Sequence, residues 1–471
     1  MRRLLEPDII LRLLIPLIFI AFLGIVPRPH ALAKAFWQTQ RLLEAPTAPD
    51  NAIEIANGYA EIARRVPWRS ELWEKAGLYA LQGGDFAAAI NYLEEAAARS
   101  HLSPAGQIAL GDAYLENGEK TTAIQAWETA MRISEPSVEV YTRLLDTHLA
   151  LKDYPASIND LQALIALQPA NAELRYRLGL LLTTQQPEAA LAHLVQAAEL
   201  DPSLSQATQT VVRGVRAARL VDDPAYSKLE AGRALASIGE WELALEAFYQ
   251  STQDQPDYTD AWAFLGEARQ HVTDPDLDRA LSDLEKALEL DPTSLTVNTF
   301  LALYWGRRGD YDQALDYLTN AANIFPENPA IQVELANTYA LLGDLDAAYQ
   351  AHQNAIEMAP RDPTFLRLMA AFSIKHDYDV HQIGLPAARQ AVILAPDGPA
   401  ELDTMAQVLI SLSDTGSAER FLQRALDANP DYAPAHLHLG IIYALNGDIK
   451  LARQKFELAI SPVSYTHLTL P

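Results

Sequence analysis

Proline closes one apolar segment after another at nearly constant spacing, and this recurrence constrains the chain more than any other feature. Pro169, Pro202, Pro256, Pro292, Pro326, Pro360, Pro396 and Pro430 are separated by 33, 54, 36, 34, 34, 36 and 34 residues. The long gap holds one period and an extra segment. A fixed period of this size is the mark of small supersecondary units that bury their apolar faces only by stacking on like neighbours. At 471 residues the alternative would be about three independent globules, but those would share no common period.

The interior of the period repeats as well. Leu335-Ala336, Tyr339, Gly343, Ala348, Ala355 and Pro360 fall in one unit. Leu110-Gly111, Tyr114, Gly118, Ala123, Trp127 and Ala130 follow the same order in another. So do Trp262, Leu265-Gly266, Ala280, Leu284, Ala287 and Pro292, and so do Leu439-Gly440, Tyr443, Gly447, Ala452, Phe456 and Ala459. In this order and spacing the chain resembles the tetratricopeptide repeat (TPR) family from Ser70 to Ser461, with eleven units in near-register. The resemblance implies an all-α fold: a right-handed α-solenoid of about 11–12 helix-turn-helix units, preceded here by an N-terminal hydrophobic helix.

The pattern has a physical reading of its own. Apolar spacings of three and four put the large residues on one helix face. Small residues (Gly111, Ala123, Ala336, Ala348) allow paired helices to approach closely, and large ones (Trp73, Tyr114, Trp127, Tyr339, Phe248) are expected to fill the space between neighbouring units. Gly118, Gly309 and Gly343 are expected to end first helices in a left-handed cap. Asn328-Pro329 and Asp362-Pro363 are expected to open the next units as N-cap and first-turn proline. The turn Thr184-Gln185-Gln186-Pro187 is one residue short, and the units ending at Pro292 and Pro396 each carry two extra residues. Leu204–Val221 fits no full unit and reads as one extra helix, broken by Asp222-Asp223-Pro224. The expected organisation is a targeting segment over 1–34, a degenerate capping repeat over 35–67, an N-terminal array over 68–202, a connecting helix over 203–224 and a C-terminal array over 225–461.

Both termini depart from the repeat. Arg2, Arg3 and Arg12 precede the uncharged run Leu13–Val26, at the short limit for a spanning helix and within the range of a signal-peptide core. Pro27-Arg28-Pro29-His30 is expected to break that helix, and Ala31-Leu32-Ala33 offers an A-x-A cleavage pattern. A retained single-pass anchor and a cleaved signal both remain open. Either sends the bulk of the chain to the extracytoplasmic side of a bacterial membrane, or, after cleavage near Ala33, to the periplasm or beyond. Val463–Pro471 breaks every preceding pattern and looks like a translated sequencing adapter, so residues 462–471 are set aside as a non-native tail.

The chemistry that the sequence excludes is broad. With 36 basic against 61 acidic side chains, the net charge of −25 repels phosphate and argues against nucleic acid as a partner. The 0 cysteines remove thiolate metal sites, Fe–S clusters and cysteine nucleophiles. No HExxH, phosphate-binding glycine loop, GxSxG or dinucleotide fingerprint occurs. His436 and His438 lie two apart, on different faces of a helix. Asp274, Asp276, Asp278 and Glu285 mimic the spacing of a calcium loop, yet Arg279 stands where glycine is needed, so the stretch reads as an acidic turn that N-caps the next helix. No cofactor, metal or small-molecule substrate is expected.

The resemblance further implies that partner peptides or helices lie in a concave groove lined by the first helix of each unit. The groove candidates are Asp112, Asp146, Arg233, Glu267, Asn337 and Gln407. Neither a Lys/Asn carboxylate clamp nor an asparagine ladder is present, and an acidic groove favours a basic or amide-rich peptide. The alternative, that these side chains only solvate the wall, stays open. The expected function is a non-catalytic scaffold holding protein partners at the bacterial cell envelope, with envelope assembly or polysaccharide export as a narrower version. The rival expectation is a regulatory TPR arm of a larger enzyme, such as a glycosyltransferase, whose catalytic domain lies beyond a truncated C-terminus.

Overall fold

The computed structural model describes residues 27–44, 51–219 and 221–460, and among them every regular element is helical. Eleven helical hairpins run from Ser70–Gln82 paired with Phe86–Ala97 to Ala433–Leu445 paired with Ile449–Ala459. The chain divides into two compact units, one comprising the chain up to Leu182 with Glu188–Val212, the other Thr183–Pro187 with the chain from Arg213. The division falls within helix Ser205–Ala218, the extra helix expected between the two arrays.

Each hairpin is built by the same local chemistry. Pro329 and Pro363 occupy the first helical turn, where the missing N–H costs no bond, and the side chains of Asn328 and Asp362 accept from the backbone N–H of Ala330 (3.0 Å) and Thr364 (2.9 Å). The first helix Pro329–Leu342 then ends at Gly343, whose φ of 84° is left-handed. Asp344 follows at once and caps the second helix, accepting from Ala347 N–H at 3.0 Å. Asp153, Asp310 and Asp414 do the same for their helices. Where the glycine is absent, Lys152 (φ 57°) and Ser413 (φ 63°) are forced into the same left-handed conformation.

Two glycine-lined faces show what sets the spacing of the paired helices. A Cβ on Gly111 would lie 2.4 Å from Trp127 Nε1, and one on Gly232 would lie 2.5 Å from Phe248 Cε1. Trp127 and Phe248 are fully buried. These aromatic rings therefore fill the inside of their own hairpin, against the bare backbone of the first helix, rather than only the space between units as expected. Gly440 and Phe456 make the same pair at 2.5 Å. Where the first helix carries Ala302 or Ala406 instead, the opposed residue shrinks to Leu318 or Leu422, and all four are buried. The two sizes do not sum to a constant, since Gly77, Gly179 and Gly266 also face leucines, Leu93, Leu194 and Leu284; what recurs in these pairs is a small residue against a larger one, in contact.

His352 breaks this rule of apolar filling. It occupies the place that Trp127 and Phe248 take in their hairpins, opposite Ala336, and is 2% exposed. Neither ring nitrogen has a hydrogen-bond partner. Its ring packs at 5.1 Å from that of Phe372, and burial, with a smaller contribution from the nearby His376, pulls its pKa down to about 4.

The irregular units absorb their extra residues in the turn. In the unit ending at Pro292 the first helix is short, Thr259–Ala268, and Asp276 caps the second by accepting from Arg279 N–H at 3.1 Å. The stretch that mimics a calcium loop is thus committed to starting a helix. In the unit ending at Pro396, Asp377 and Asp379 take positive φ and a π-helical turn, Val380–Gly384, precedes Leu385–Leu394. The short turn at Gln186 joins Ala172–Gln185 directly to Pro187–Leu200.

Pro27, Arg28, Pro29 and His30 are helical, within Pro27–Glu44, and the run Leu13–Val26 that they were expected to set apart lies outside the described residues. Ala31-Leu32-Ala33 lies inside that helix, as does the expected boundary between the leader and the capping repeat. The apolar run Leu13–Val26 and the tail 462–471 lie outside the described residues. Among the described residues no helix is long and apolar enough to cross a membrane.

Three measurements test this packing. Gly111→Ala and Gly232→Ala are each expected to lower unfolding stability in urea by about 1–3 kcal/mol through overpacking. Ser413→Gly is expected to raise it by roughly 0.5–1 kcal/mol by relieving a left-handed serine. Because the folded pKa of His352 lies below its unfolded value of 6.5, its contribution is intact above pH 6.5 and is lost as the pH falls toward about 4. His352→Leu is therefore expected to flatten the wild-type loss of stability across that window, as followed by urea melts at several pH values.

Candidate functional site

All six candidate residues follow directly on the small or apolar residue that faces the second helix: Gly111-Asp112, Leu145-Asp146, Gly232-Arg233, Gly266-Glu267, Ala336-Asn337 and Ala406-Gln407. One turn of register therefore places each at the same point of its own first helix. Their surroundings differ sharply.

Asp112 and Asp146 belong to the first compact unit. Asp112 accepts from Trp127 Nε1 at 3.0 Å and from Arg143 Nε at 2.7 Å, and its other oxygen accepts from Arg143 Nη2 at 3.1 Å. Arg143 comes from the next first helix, 31 residues on, so the fork bridges two successive hairpins. Asp146 is exposed.

In the second unit, Arg233 is exposed, pairs with Glu230 at 2.6 Å and lies 5.3 Å from the ring of Phe264. Glu267 is 8% exposed and is the centre of a network. It accepts from Arg307 Nη2 (2.6 Å) and Nη1 (2.9 Å), from Gln270 Nε2 (3.1 Å), and pairs with His271 Nε2 (2.9 Å). Burial alone would push this carboxyl up, but His271 and Arg307 outweigh it and hold the pKa below the usual glutamate value. Gln407 donates to Asp403 Oδ2 at 2.9 Å, and Asp403, buried, also holds His438 Nδ1 at 2.6 Å. Asn337 is exposed and hydrogen-bonds the carboxyl of Glu334.

The structure thus separates the six. Asp112, Glu267 and Gln407 are engaged in contacts that tie hairpins or helix turns together, whereas Asp146, Arg233 and Asn337 present surface. The residues that complete the networks, Arg143, Arg307, His271 and His438, were missed in the sequence. They lie at different offsets from the acids they meet, 31 residues for Arg143, 40 for Arg307, 4 for His271 and 35 for His438, so no fixed spacing in the sequence marks them. His436 and His438 do face different ways: His436 meets the carbonyl of Pro430 at 3.0 Å, and His438 meets Asp403. Among the described residues no cluster of three or more His, Cys, Asp or Glu is arranged to hold a metal ion.

Beside Asn337 lies a cleft of about 220 Å³ between the first helices Leu295–Arg307 and Pro329–Leu342. Its walls are mainly apolar, with Leu303, Leu318 and Leu341 among them, and Glu334 and Arg307 stand at its polar side.

Comparison with known proteins gives the family. One tetratricopeptide repeat model matches residues 74–137, 142–205, 229–294 and 404–465, and a second matches 307–372. None of the curated proteins matches the chain. Among solved structures, yeast Tom70 is similar at 17% identity over 76% of this chain and 91% of its own, with a TM-score of 0.33. The Cut9 and Hcn1 hetero-tetramer of the APC/C is similar at 16% identity over 94% and 93%, with a TM-score of 0.38. A thermophilic TPR protein of Thermus thermophilus is similar at 24% identity over 43% and 98%, with a TM-score of 0.30. The repeat models fall on the hairpins whose glycine, alanine and aromatic pairs were described above and together span more than half of the sequence, and on that ground the chain belongs to the tetratricopeptide repeat family.

Proposed function

We propose that this protein is a non-catalytic scaffold that binds extended segments or helices of partner proteins along the face that the first helices form within each compact unit. The observation that carries the reading is how the polar groups of that face are used. The buried acids Glu267 and Asp403 are committed to arginine, glutamine and histidine partners that join helices, while Asp146, Arg233 and Asn337 are left at the surface. Such a wall offers complementary surface for recognition rather than a nucleophile, base and orienting group converging on one point. The uncharged run Leu13–Val26 supports placing the scaffold at a bacterial envelope, held or exported through its N-terminus.

Photo-crosslinking in the cell tests the scaffold. A crosslinker placed at Asp146 or Asn337 is expected to capture defined protein partners, and one at Glu357, exposed on a second helix, to capture far fewer. Equal capture at all three positions overturns the reading. Fractionation tests the location: the chain with residues 1–26 is expected in the membrane or extracytoplasmic fraction, and recovery in the cytoplasm with or without them removes the envelope from the proposal.

A further inference from the structure

One pair of successive first helices is joined by an ion pair at an offset of 31 residues. In the first unit, Arg143 reaches back 31 residues to Asp112 with two hydrogen bonds. In the second unit, Glu334 stands in the same relation to Leu303, 31 residues earlier. Here the pairing is unmatched: a carboxylate faces methyl groups where the equivalent place holds an ion pair.

The cleft of about 220 Å³ described above opens at that mismatch. Leu303 and Leu318 wall it, and Leu341, 55% exposed, stands at its mouth. Gly306 widens it, since a Cβ there would meet nothing within 4 Å. Small-molecule sites run from about 300 to 1,000 Å³, so the volume suits one side chain of a larger partner rather than a whole ligand.

Glu334 is the group that the cleft leaves uncompensated. Burial pushes its carboxyl above the usual glutamate range, and Asn337 offsets this only in part. Arg307 lines the same cleft, but its guanidinium is bound to Glu267 at 2.6 and 2.9 Å and to Gln270 at 2.9 Å. No ion pair involves Glu334 among the described residues. An apolar guest would strip the carboxylate of water without replacing its bonds. An acidic guest would be repelled, locally and by a chain of net charge −25. A lysine or arginine satisfies both parts of the site, since its methylene stem covers leucine surface while its head meets the carboxylate.

We infer that this cleft receives one lysine or arginine side chain from a basic segment of a protein partner, with Glu334 as its counter-ion. The inference rests on the scaffold reading and names the chemistry its surface selects.

Displayed random peptides selected on the full chain provide the test. The selected pool is expected to be enriched in lysine and arginine. Individual clones are expected to bind Glu334→Gln at least about tenfold more weakly, the size of one charge-assisted contact, and to be unaffected by Glu357→Gln. Leu303→Lys supplies the cation in cis and is expected to block the same clones; thermal melts of both cleft variants establish that they fold. Clones that bind wild type and Glu334→Gln equally, or a pool without basic enrichment, overturn the cation site and leave the scaffold standing. A selection that yields no binder on the first-helix face overturns both.

Discussion

The arrangement depends on a small residue, glycine or alanine in most first helices, meeting a larger side chain of the second. Gly111 lies under Trp127, Gly232 under Phe248 and Gly440 under Phe456, each so close that a methyl group would not fit. Close packing of this kind fixes the separation of two helices more sharply than hydrophobicity alone, because dispersion contacts are lost with a fraction of an ångström. Once the hairpin has a defined separation, its outer faces have a defined shape, and a like hairpin fits against them. The short Asp and Gly turns then only need to reverse the chain, and variation in their length is absorbed locally, as the π-helical turn Val380–Gly384 shows.

Polar chemistry is laid over this apolar frame. Most charged side chains do not enter the hairpin interior. Of the buried acids, Glu267 and Asp403 meet partners from the next first helix, whereas Asp160 and Asp283 meet His148 and Arg269 of their own hairpins; in each case the partner replaces the water that was lost. His352 is the exception inside the frame, an imidazole with no partner in a place that calls for a hydrocarbon. Glu334 is the exception on the outside, a carboxyl whose opposite number is Leu303. Asn337 offsets the burial of Glu334 only in part, and the cleft beside it leaves room for a group that would complete it.

Much of the fold was legible because repeated constraints leave repeated marks. The prolines, the left-handed glycines and the Asn or Asp caps each answer a local backbone requirement, and local requirements are written in contiguous residues. The extra helix Ser205–Ala218 was visible for the same reason, as a segment with no place in the period.

The sequence by itself determined the hairpin, its length, its caps and the size of the side chains that fill it, because these depend on neighbours a few residues away or on one partner at constant offset. Tertiary structure decided which wall residues are free. Asp112 and Asp146 occupy the same point of successive first helices, yet one is forked by Arg143 and the other is exposed. That difference arises from how close the next helix comes and what it carries there. A side chain's partner across an interface is set by geometry in three dimensions, and so the line between a brace and a binding surface appears only when the hairpins are stacked.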